Sequence, residues 1–135
     1  MAASTAMATP TVVWLVASFI SIVAGGTFRF RTNGIGEPVV IASSMSLDCC
    51  SKHHSGGRDI LHAWNFFMEW FETHRGGIRV DGPSSPPRPL ELLIVDDTSE
   101  AAHVTNIYEE FVARGVKLLL GPYGSTLTQP AARMM

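Results

Sequence analysis

Three short stretches of this sequence carry side chains that could do chemistry. Asp96 and Asp97 close the apolar run LELLIVDD, and an acidic pair between a buried strand and a helix is expected to stabilise the turn and the helix dipole. Cys49, Cys50, His53 and His54 crowd into the six residues CCSKHH, and all four are soft-metal ligand types. The third stretch is GPYGSTLTQP, where Tyr123, Gly124, Ser125 and Thr126 follow a glycine-proline turn at the start of a helical pattern. The unpaired N–H groups and positive dipole end of a nascent helix, joined by two hydroxyls, suit a carboxylate. Those hydroxyls equally suit a plain helix cap, since capping and anion binding use the same groups.

The metal reading of CCSKHH is weak, because four ligands so close in sequence rarely close a tetrahedral site and the paired spacing of zinc motifs is missing. A solvated loop is the expectation there, with no metal and no cofactor. No nucleophile–base arrangement is legible either. His62 falls on the polar stripe of a helix, His74 in its last turn, and His103 has no acidic or serine partner that spacing can place. Enzymatic activity is therefore not expected. Net charge is -2, and the lysines and arginines are scattered without interleaved aromatics, which argues against a nucleic-acid partner.

The elements that must position these groups alternate. Val39–Ala42 is a short β-branched run of strand type, apolar on both faces as in a parallel sheet. Asp59 to His74 is helical, with Ile60, Trp64, Phe67 and Phe71 on one stripe and Gly76 just past the end. Trp70 is assigned to the core with its aromatic neighbours. DGPSSPPRP reads as a turn or surface insertion. Leu90–Val95 is a second buried strand. The helix after it is capped by Thr98 or Ser99, is apolar at Val104, Ile107, Tyr108, Phe111 and Val112, and ends at Gly115. VKLLL is a third strand, and Pro130 fits the first turn of a third helix. Strand and helix in strict alternation predict an α/β, doubly wound parallel sheet, whose ligands sit outside the carboxyl ends of the strands. The loops after Ala42, Val95 and Leu120 are then the ones that matter.

Residues 1–26 differ in kind. No charged side chain occurs before Arg29, and TVVWLVASFISIVAGG is an apolar stretch ending in small residues. It reads as a signal peptide cleaved near Ala24, Gly25 or Gly26, with an uncleaved signal anchor as the alternative. Residues 27–36 form a polar, glycine-bearing lead-in. The expected location is extracytoplasmic: secreted, periplasmic or at the cell surface.

VVIASSMSL, the helix ending HRGGI, LELLIVDD and VKLLLGPYGSTLTQPAA together resemble the type I periplasmic solute-binding proteins, in the branch that binds leucine, isoleucine, valine and related amino acids or amides. The resemblance covers residues 37–135 and implies the opening, incomplete part of the first of two α/β lobes that close over a small solute. It implies a ligand-binding role for Ser125, with Thr126 beside it, Gly124 allowing close approach and Tyr123 walling the pocket. Ser44 and Ser46 of the first loop would contribute. A lobe cut there keeps unpaired edges on its outer strands. The implied function is binding of an amino-acid-like ligand for a membrane transporter. The alternative is the extracellular ligand-binding region of a membrane receptor, and a non-functional fragment is a third reading. A response-regulator receiver would also begin with an acidic pair after a strand, but the strand LLLGPYG offers no phosphoacceptor aspartate.

Overall fold

The computed structural model describes residues 21–23, 26–48 and 50–134. It is an α/β fold with three helices and a mixed sheet, in the chain order β1 (Ser21–Val23), β2 (Thr27–Arg31), β3 (Val39–Met45), α1 (His54–Arg75), β4 (Leu90–Asp96), α2 (Ala101–Ala113), β5 (Leu118–Leu119) and α3 (Ser125–Ala132). Across the sheet the strands run β1-β2-β4-β3-β5. The three expected strands are the parallel part: β3 pairs with β4 from Val39↔Leu90 to Met45↔Asp96, and with β5 at Ile41↔Leu118 and Ala42↔Leu119.

The expected all-parallel sheet is corrected by β2, which runs antiparallel to β4 from Thr27↔Val95 to Arg31↔Glu91. The segment read as a lead-in is a strand because TFRFR alternates. Phe28 and Phe30 join the apolar layer beneath α1. On the opposite face Arg29 and Arg31 stand 3.1 and 3.8 Å from the carboxylate of Glu91. Apolar on one face and charged on the other is the pattern of an antiparallel strand with one buried face. The outer edge of β4 is thus covered rather than bare. Ser21–Val23, inside the expected leader, pair with β2 in turn. Gly26, the last expected leader position, is described as well, and its carbonyl accepts from the Asp96 N–H at 3.0 Å; positions 1–20 and 24–25 lie outside the described residues, and with them the anchor alternative and cleavage at Ala24 or Gly25.

Each face of the sheet has its own core. Met45, Leu90, Leu92 and Ile94 pack with Met68, Ile60, Trp64, Phe67 and Phe71 of α1. Ala42 and Leu93 pack with Val104, Ile107, Tyr108 and Phe111 of α2 and with Leu127 and Ala131 of α3. Two aromatic and aliphatic assignments fail: Trp70 is half-exposed and stacks on His74, and Val112 is exposed. The α1 stripe is simply narrower than its aromatic content suggests, and Phe66 also faces solvent.

Helix ends follow local chemistry. Gly76 (φ 61) and Gly115 (φ 76) take the left-handed conformation that closes α1 and α2. Thr98 and Ser99 do not cap α2, because both stand at positive φ and Glu100 is the N-cap residue. Pro130 lies in the second turn of α3, not the first, because the helix begins at Ser125, directly after Gly124. The proline-rich segment is a loop held by the Ile78↔Arg88 bridge.

Candidate functional site

The carboxyl ends of β3, β4 and β5 bring three loops to one edge of the sheet. Two are knotted together by Asp97, which is fully buried. Its Oδ1 accepts from the Ser46 hydroxyl at 2.6 Å and from the Ser99 N–H at 2.9 Å, and its Oδ2 accepts from the Ser44 hydroxyl at 2.9 Å. Asp96 Oδ1 accepts from the N–H groups of Leu47 and Thr98, both at 2.9 Å. Each carboxylate therefore grips the N–H two residues on, a turn that tolerates the left-handed region. That accounts for positive φ at two successive residues with a Cβ, Thr98 (51) and Ser99 (64), a conformation costing on the order of 1–3 kcal/mol each. The acidic pair is a structural knot tying the first loop to the second.

The knot extends outward. Ser99 Oγ donates to Ser46 Oγ at 2.8 Å and accepts from the His53 N–H at 3.1 Å. His53 in turn lies edge-on to Tyr123, with ring centroids 6.1 Å apart. The third loop, Gly121 to Gly124, thereby rests against the amino end of α1. Two glycines make this closeness possible. A Cβ on Gly56 would stand 2.4 Å from Tyr123 Cε1, and one on Gly57 only 2.2 Å from the Ser46 carbonyl oxygen. Such approach explains why α1 starts at His54, five residues earlier than its apolar periodicity suggests, and through a pair of poor helix formers. From below, the Tyr108 hydroxyl donates to the Leu120 carbonyl where β5 ends. Burial is the main reason its phenol is pushed above the ordinary value, with weaker opposing pulls from hydrogen bonds at Ser44 and Ser43.

The expected site residues fall into two groups. Ser44 and Ser46 are fully buried and committed to Asp97. Ser125 and Thr126 are exposed at the first positions of α3, whose N-cap Gly124 (φ 117) carries no side chain to cap it. Tyr123 is partly exposed beside them. The hydroxyls that could either cap α3 or meet a ligand thus make no cap bond, and within this helix Thr128 bonds back to the Gly124 carbonyl instead.

Three other expectations meet the geometry. Among the described residues no group of three His, Cys, Asp or Glu gathers as a metal site; Cys50 is exposed, and Cys49 lies outside those residues. His54 Nε2 is buried without a hydrogen-bond partner. His103 does have partners, contrary to the reading from spacing: Thr98 Oγ1 at 2.7 Å from its Nδ1 and Glu100 at 3.6 Å from its Nε2. The positive φ of Thr98 folds that hydroxyl back over the first turn of α2, a conformation no sequence periodicity announces. The Thr98 hydroxyl also stands 2.8 Å from the Asp97 carbonyl, a second acceptor within its reach.

Compared with known proteins, the chain matches no protein-family model, no curated protein and no solved structure.

Proposed function

We propose that this chain contributes a lobe of a doubly wound, periplasmic-binding-protein-like module that binds a small amino-acid-like solute outside the cytoplasm, for delivery to a membrane transporter. The observation that carries the reading is the contrast at the carboxyl edge. Ser125 and Thr126 stand exposed at the amino end of α3, while the serines and carboxylates around them are bonded to one another. The ligand carboxylate would meet the Ser125 hydroxyl and the first N–H groups of α3, with Gly124 giving room and Tyr123 forming a wall. Thr126 supplies a second hydroxyl. Ser46 and Ser44 act from beneath by fixing the two neighbouring loops.

A single lobe offers one side of such a site, so affinity on the order of millimolar is expected. Calorimetric titration of the chain with a panel of free amino acids and their amides tests this. Ser125→Ala is expected to weaken the best ligand by about 1–3 kcal/mol. Equal affinity for wild type and variant across the panel would assign Ser125 to the helix alone. The location has its own test: secreted protein is expected to begin between Gly25 and Thr27, and an intact Met1 in a membrane fraction would contradict it.

A further inference from the structure

At the opposite end of the sheet from those loops lies a basin of about 440 Å³, within the range of small-molecule sites. It is bounded by the amino ends of β3 and β5, the end of α2 and the loop before β4. Val39, Val40 and Val116 supply an apolar floor, and Arg88, Arg114 and Lys117 bring three cations against the single carboxylate of Glu37. That is a local positive excess on a chain whose net charge is -2.

The cations are not equivalent. Arg114 is paired with Glu110, one turn back on α2. Arg88 is oriented by its Nε, which donates to the Glu37 carbonyl at 2.8 Å, and among the described residues its remaining guanidinium nitrogens have no ion-pair partner. Lys117 is exposed and likewise has none among those residues. A guanidinium fixed at one nitrogen, beside an unengaged ammonium, presents donors to a carboxylate. The adjoining valines suit an aliphatic tail.

We propose that this basin binds an amphiphilic monocarboxylate, with the carboxylate between Arg88 and Lys117 and the aliphatic chain along Val39, Val40 and Val116. The site is separate from the edge that carries Ser125. The probe is octanoate, titrated calorimetrically into the full chain, with octan-1-ol and octylamine as neutral and cationic counterparts. Octanoate is expected to bind more tightly than either. Lys117→Gln, at an exposed position, is expected to weaken it roughly tenfold, and Lys117→Arg to restore most of the loss. Ser125→Ala should leave octanoate binding unchanged, which separates this site from the amino-acid site. Absence of octanoate binding, equal binding of octan-1-ol or octylamine, or indifference to Lys117→Gln would each overturn the proposal.

Discussion

The segments that follow β3 and β4 and the one that follows β5 all carry serine or threonine hydroxyls but use them in opposite ways. In the first pair, Ser44 near the end of β3, Ser46 just past it and Ser99 after β4 all turn inward on Asp97, and the buried carboxylate is fully satisfied by them. In the last, Ser125 and Thr126 face outward, and the loop before them is held by the Tyr108 hydroxyl beneath, by the Ser43 hydroxyl, which donates to the Gly121 carbonyl at 3.3 Å, and by the His53 ring beside it. One edge of the sheet thus combines a rigid half with a presented half. Binding sites often have this composition, with a few open polar groups on a scaffold whose own polar groups are paired.

The largest effect is expected where the inward half is cut at its centre. Asp97→Ala removes the acceptor of three buried or half-buried donors, each worth about 1–3 kcal/mol if left unpaired, so several kcal/mol of stability should disappear in denaturant unfolding. An effect below 1 kcal/mol, on the scale of a surface change, would show that the two halves do not differ as described.

Next in size is Gly57→Ala. In an ordinary helix interior this substitution gains up to about 1 kcal/mol. Here the new methyl meets the Ser46 carbonyl, and a loss of about 1–3 kcal/mol is expected from forcing the contact apart. A raised melting temperature would mean that α1 does not press on the first loop.

Tyr108→Phe should be smaller, about 1 kcal/mol, since one hydroxyl leaves one carbonyl unpaired. It carries a pH signature. Burial raises the folded phenol above its unfolded value of roughly 10, so the native state holds this proton more tightly. The stabilisation is therefore complete below the unfolded value and is lost as pH rises through the folded one. Wild type should lose stability on that alkaline limb, and Tyr108→Phe should flatten it. Parallel limbs would contradict the buried position of the hydroxyl.

How much of this was readable from residues alone varies along the chain. The parallel strands β3 and β4, the apolar faces of α1 and α2 and the glycine stops at Gly76 and Gly115 followed from periodicity and turn chemistry. Strand β2 was missed although its alternation TFRFR was in plain view, because glycines and polar residues around it invited a loop reading. The early start of α1 was hidden for a physical reason: Gly56 and Gly57 argue against a helix locally, and only tertiary approach of Tyr123 and Ser46 explains them. The commitment of Ser44 and Ser46 to Asp97 was equally hidden, since it joins residues about fifty positions apart. Residues 121–126 were legible as a site candidate because turn, hydroxyls and helix start are contiguous in sequence.

Smallest in stability is Ser125→Ala, which should fall within about 0.5 kcal/mol, as befits an exposed hydroxyl with no cap bond. Its effect belongs to binding. The most direct measurement of the central claim is therefore an amide NMR titration of the chain with leucine and related free amino acids, each compared with its amide. Saturable shifts are expected at Tyr123 to Thr126 and at His53, stronger for the free carboxylate than for the amide and weakened in Ser125→Ala. Shifts absent from that loop while the spectrum remains folded, or shifts confined to other parts of the chain, would contradict the assignment of a solute site to the carboxyl edge.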